Sequence, residues 1–141
     1  MALKVGDMAS VSKTITDNDI RQFAVLVGDY NPVHLDNKFA QKTKFGQRIA
    51  HGMLPASLIS AAIGNNLPGP GTVYLSQNLE FVAPVYPGDT VTAKVTVKAI
   101  RYDKPIVTLA TVCYNQNGKP VIKGEAIVKV EELEGTVMGG G

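Results

Sequence analysis

Asp29, Asn31 and His34 lie together in the run Asp29-Tyr30-Asn31-Pro32-Val33-His34. A carboxylate, an amide and an imidazole are thus concentrated where proline limits backbone freedom. Pro32 fixes its own φ and pushes Asn31 away from the helical region, so a rigid loop is expected. Further on, His51-Gly52-Met53 opens an apolar run that continues past Ser60 and Ile63. A helix start offers unpaired N–H groups and the positive end of the macrodipole. Gly52 suits an oxyanion donor, having no side chain to obstruct a substrate and an N–H at that helix start. A base, an imidazole and an anion-stabilising amide are the parts needed for proton chemistry beside a carbonyl.

Each residue has a plainer reading. Asp29 alone is a turn acid after a helix end, and His34 alone an ordinary loop histidine. Their combination with the downstream helix favours catalysis. His51 stands beside a positive helix end, which discourages charge, so a neutral hydrogen-bonding role is expected for it. Ser60 lies inside the helix without an adjacent base, which argues against a nucleophile. Packing or a supporting hydrogen bond, and direct substrate contact, both stay open for it. The two histidines with Asp29 or Asp36 match no strong metal-ligand spacing, so no metal is expected. Lys42, Lys44 and Arg48 could meet phosphates, although a solvated basic face is the simpler expectation.

These groups need elements to hold them. Thr16 is placed to cap a helix over 17–27, with Asp17 and Asp19 in its first turn. Ile20, Phe23, Ala24 and Val27 form its apolar face. Gly28 ends that helix and delivers Asp29 into the proline loop. Asp36 to Gln41 suggests a short helix. The run 52–66 is apolar on nearly every side, which predicts a helix buried within the domain. Before these, 3–14 reads as a leading segment and short strand. After them come strands near 72–83, 89–101, 106–116 and 119–131, the second alternating at Val91, Ala93, Val95 and Val97. Asn117-Gly118 is a strong hairpin signal. A buried helix followed by consecutive antiparallel strands predicts an α+β fold with the sheet curled around the helix.

The 141 residues fit one domain, assigned to 1–138, with Gly139-Gly140-Gly141 as a flexible tail. At 45% apolar and 18% charged residues, the chain is light in charge, which suggests surface buried against another subunit. The net charge of +2 is spread along the chain, without the basic run that nucleic-acid binding favours. No apolar run is long enough to span a bilayer, and no signal peptide is visible. One cysteine, Cys113, allows no internal disulfide and reads as a buried strand thiol. A cytoplasmic protein is expected.

Three stretches, Gly28 to Asp36, His51 to Ser60 and Gly69 to Asp89, resemble the MaoC-like family of hot-dog-fold enzymes, particularly the (R)-specific enoyl-CoA hydratases. The likeness runs from about Val5 to Val130. It implies a single hot-dog fold and reversible addition of water to a trans-2-enoyl-CoA, giving the (R)-3-hydroxyacyl-CoA. It implies no metal or organic cofactor, the acyl-CoA thioester being the substrate. It also implies a homodimer with the acyl tunnel near the subunit boundary, and supply of polyhydroxyalkanoate monomers. Asp29 and His34 match the family's catalytic pair and Gly52 its oxyanion-hole glycine. Asn31 and Ser60 match supporting positions, and Ile63 and Val128 match places lining the acyl pocket. A short-to-medium acyl tunnel is expected from the alanines and isoleucines of the long helix.

A 3-hydroxyacyl-ACP dehydratase is the nearest alternative, with the same chemistry on another thioester carrier. A non-catalytic hot-dog subunit that binds acyl thioesters is the alternative from a different class. A thioesterase is less favoured.

Overall fold

The computed structural model describes residues 2–131; the glycine tail expected at 139–141, and the end of the 1–138 domain, lie outside the described residues. The chain opens with β1 (Met8–Thr14) and continues into α1 (Asp17–Val27). Thr16 caps α1 reciprocally: its hydroxyl accepts from the Asp19 N–H, and the Asp19 carboxylate accepts from the Thr16 N–H, both at 3.0 Å. Gly28 ends the helix in the left-handed region, at φ 78°, and its N–H reaches the Ala24 carbonyl at 2.8 Å. The chain therefore turns sharply into Asp29.

The rigid loop expected next is instead a helical turn, α2 (Pro32–Leu35). The physical reason is the same proline. Pro32 occupies the first helical position, where its missing N–H costs nothing. The extended backbone it imposes on Asn31 is what an N-cap requires, and Asn31 Oδ1 accepts from the Val33 N–H at 3.1 Å. Asp36 then caps α3 (Asn37–Gln41) by accepting from the Lys38 and Phe39 N–H groups.

The long helix α4 (Met53–Asn65) buries Pro55, Ala56, Ile59, Ala62 and Ile63. Its composition predicts enclosure on every side. The structure encloses one face and leaves Met53, Ser57 and Ser60 exposed within the chain. One sheet packs against only one face of a helix, so the opposite face of α4 stays open.

Four strands follow: β2 (Val73–Phe81), β3 (Thr90–Arg101), β4 (Ile106–Tyr114) and β5 (Pro120–Lys129). All pairings are antiparallel, in the order β1-β3-β4-β5-β2. Val91, Ala93, Val95 and Val97 are all buried, as their alternation predicts, and face the same apolar cluster as Ile59 and Ala62. Gly118 takes φ 75° in the turn joining β4 and β5. Cys113 is fully buried on β4, and burial raises its thiol to about 11. Strand β2 forms one edge of the sheet and exposes Val73, Tyr74, Leu75 and Phe81. Among the described residues, no helix is long and apolar enough to cross a membrane.

Candidate active site

α2 presents His34, which is 8% exposed. Its Nδ1 lies 2.8 Å from the Ile49 carbonyl. A carbonyl only accepts, so Nδ1 carries the proton and the neutral ring keeps a free lone pair on Nε2. Burial pushes His34 below the usual histidine range. The Ile49 hydrogen bond opposes that fall, neighbouring His51 adds to it, and the Asp29 charge opposes it.

Asp29 is held by the turn that begins α2, its Oδ1 accepting from the Asn31 N–H at 3.1 Å. A carboxylate oxygen of Asp29, a ring nitrogen of His34 and a ring nitrogen of His51 all lie within 4.8 Å of one another. The residues picked out from the sequence as a pair are thus a pair in space. Asn31 works on both, tying Asp29 through its amide and starting the turn that carries His34.

Gly52 immediately precedes α4, and its N–H meets no acceptor among the described residues. A Cβ at this position would come within 2.7 Å of the Phe81 ring. A side chain here would have to displace the Phe81 ring, so glycine suits the position through a close approach and not through an unusual backbone angle.

Two cavities share His34, Gly52 and Met53 in their walls. The larger, of about 550 Å³, is apolar over much of its lining through Phe45, Ile49, Phe81, Val82 and Val85. The other, of about 350 Å³, adds Asp29, His51 and the α1 residues Phe23 and Val27. Ser60, Ile63 and Val128 line neither. Ser60 is on the open face of α4, while Ile63 and Val128 are 2% and 0% exposed in the apolar cluster between helix and sheet.

The basic residues divide. Lys42 is exposed; Lys44 borders the larger cavity, its Nζ 5.4 Å from the Phe45 ring centre. Arg48 does not belong to a solvated basic face. Its side chain is 13% exposed and donates to Asp17 at 2.6 Å, to Asn37 at 2.8 Å and to the His34 carbonyl at 3.3 Å. It ties the starts of α1 and α3 to α2. Nothing in the residue pattern points to Ile49, which contributes only its backbone carbonyl, or to Phe81, an aromatic residue at a strand end.

Five antiparallel strands curled about one helix define a hot-dog domain, in which Asp29 and His34 converge beside a free backbone amide. The chain belongs to the MaoC-like domain family, whose sequence profile matches residues 6–117. It is 49% identical to an (R)-specific enoyl-CoA hydratase of Aeromonas caviae over 92% of this chain and 96% of that protein. It is 52% identical to the enzyme of the same description from Rhodospirillum rubrum, over 91% of this chain and 88% of the relative. The solved structure of the A. caviae (R)-hydratase, described as involved in PHA biosynthesis, superimposes with a TM-score of 0.88. That superposition covers 91% of this chain and 97% of that one at 49% identity.

Proposed function

We propose that this protein is an (R)-specific enoyl-CoA hydratase, a hydro-lyase that adds water reversibly across the double bond of trans-2-enoyl-CoA. The observation that carries this is the convergence of Asp29 and His34 beside the unpaired Gly52 amide.

Asp29 as carboxylate and His34 through Nε2 are both acceptors. A water held between them donates both of its protons and keeps its lone pairs for C3 of the substrate. As the C3–O bond forms, one of the pair takes a proton from that water. The electrons of the double bond move onto the thioester carbonyl oxygen, to which the Gly52 N–H donates a hydrogen bond that stabilises the growing charge. Such a donor is worth about 3 kcal/mol to the transition state. The pair then delivers a proton to C2, completing the 3-hydroxyacyl thioester. Water and proton reach the substrate from one side, which supports a single product stereochemistry.

The larger cavity falls within the range of small-molecule sites and supports a short-to-medium acyl chain. Ile63 and Val128, packed between α4 and the sheet outside both cavities, belong to the proposal as residues that an acyl tail would meet on entering that layer, and Ser60 as a supporting one. The identity to CoA hydratases supports CoA as carrier, and the A. caviae relative supports a role in supplying polyhydroxyalkanoate monomers. A homodimer is part of the same reading. The apolar edge strand β2 and the open face of α4 are the surfaces that support it. Cys113 is a free thiol, the state a reducing cytoplasm preserves.

The test is loss of crotonyl-CoA absorbance, with the product's configuration determined and a crotonyl-ACP assay alongside. Hydration to the (R)-product supports the assignment. Preference for the ACP substrate moves it to the dehydratase alternative, and binding without turnover to a non-catalytic subunit.

A further inference from the structure

His51 is the residue that the mechanism above leaves without a task, yet it touches every part of that mechanism. It is 3% exposed, and its Nε2 lies 3.0 Å from the Asp29 backbone carbonyl. That carbonyl only accepts, so Nε2 carries the proton and Nδ1 has the lone pair. The ring lies against His34, centroids 3.9 Å apart and planes tilted by 32°, while Phe23 of α1 packs 4.9 Å away. The peptide between His51 and Gly52 is the one whose N–H serves as oxyanion donor. One side chain therefore links the Asp29 backbone, the His34 ring and the amide.

The ring's remaining nitrogen makes the case sharper. His51 Nδ1 is a buried side-chain polar atom without a hydrogen-bond partner, the only one among the described residues. A buried acceptor left unpaired costs stability, and each such group calls for a reason. An apolar ring would fill this space between Phe23 and His34 without that cost. It could not hold the Asp29 carbonyl.

We propose that His51 is a positioning residue that fixes the distance between the water-holding pair and the Gly52 oxyanion donor, at some expense to stability. This rests on the hydratase reading of the site. The ring acts through two separable contacts, the hydrogen bond to Asp29 and the stack against His34. Neither contact moves a proton or touches the substrate.

Two variants separate the contacts. His51→Phe keeps the stack and loses the hydrogen bond; His51→Gln supplies an amide N–H toward the Asp29 carbonyl without the stack. In crotonyl-CoA hydration, His51→Phe is expected to lower kcat about 10- to 100-fold with KM within about threefold, the scale set by misplacing reacting groups. His51→Gln should recover at least a third of that loss on a logarithmic scale. Thermal unfolding of His51→Phe should occur at or above the wild-type Tm, whereas a merely structural histidine would give a lower Tm. If His51→Phe keeps wild-type kcat, or loses kcat only together with Tm, the positioning role is overturned. Should His51→Phe fail to fold, a His51→Gln variant with a kcat below one-tenth of wild type would overturn the hydrogen bond's part, and one near wild type would support it. A wild-type protein silent on both CoA and ACP substrates overturns the hydratase reading itself, and this inference falls with it.

Discussion

The Nδ1–H of His34 points at the carbonyl of Ile49, 2.8 Å away, from the turn before α4. This contact leaves Nε2 as the nitrogen with a lone pair. In the proposed mechanism that nitrogen holds the water, so protonating it is expected to switch the site off. Because burial lowers the His34 pKa, the acid limb of kcat/KM is expected to have its midpoint below about 6.5, with a plateau through neutral pH. A pH–rate profile on crotonyl-CoA measures it, and a midpoint above that value contradicts the assignment.

The same shift has a stability consequence of definite sign. The folded protein holds His34 neutral where the unfolded chain, titrating near 6.5, already binds a proton. Stability is therefore full above about pH 6.5 and falls as pH drops toward the folded pKa. The Tm of His34→Gln should depend less on pH than that of wild type across this window, as measured by calorimetry at matched ionic strength.

Asp29→Asn and His34→Ala should each lower kcat by about 10²–10⁴-fold while far-UV circular dichroism stays unchanged. The two losses are expected not to multiply in the double variant, because the residues hold one water between them. Multiplying effects would point to separate tasks.

Gly52→Ala places a methyl group where the Phe81 ring stands, at about 2.7 Å. Overpacking of this kind costs about 1–3 kcal/mol, and the expected result is lower activity together with a lower Tm. Phe81→Ala in the same chain should return part of both. A double-mutant cycle with no coupling would show that the ring yields freely.

Arg48→Ala should lower stability by about 1–2 kcal/mol, the Asp17 carboxylate it pairs with being largely solvent-facing. Arg48→Lys should not restore it, since one ammonium cannot reproduce separate bonds to Asp17, Asn37 and the His34 carbonyl. Chemical denaturation of the three proteins decides this.

Much of the architecture was legible because local signals agreed. Thr16, Gly28, Asn117-Gly118 and the alternation from Val91 to Val97 each mark a boundary or a face through short-range chemistry. Asp29 and His34 were legible for the same reason, being five positions apart around a proline. The turn at α2 was misjudged because Pro32 signals both a loop and a first helical position, and only the cap made by Asn31 separates them. Arg48 was misjudged because its partners are Asp17, Asn37 and a carbonyl, remote or invisible in a linear pattern. The contact of Gly52 with Phe81 joins α4 to a strand end and leaves no local trace.

The space that a side chain at position 52 would need is the space the ring at position 81 fills. Descendants of this chain consequently cannot explore the two sites independently. A lineage that enlarges residue 52 must either swing the ring at position 81 aside or shrink it, and both changes redraw the wall around the residue 52 amide.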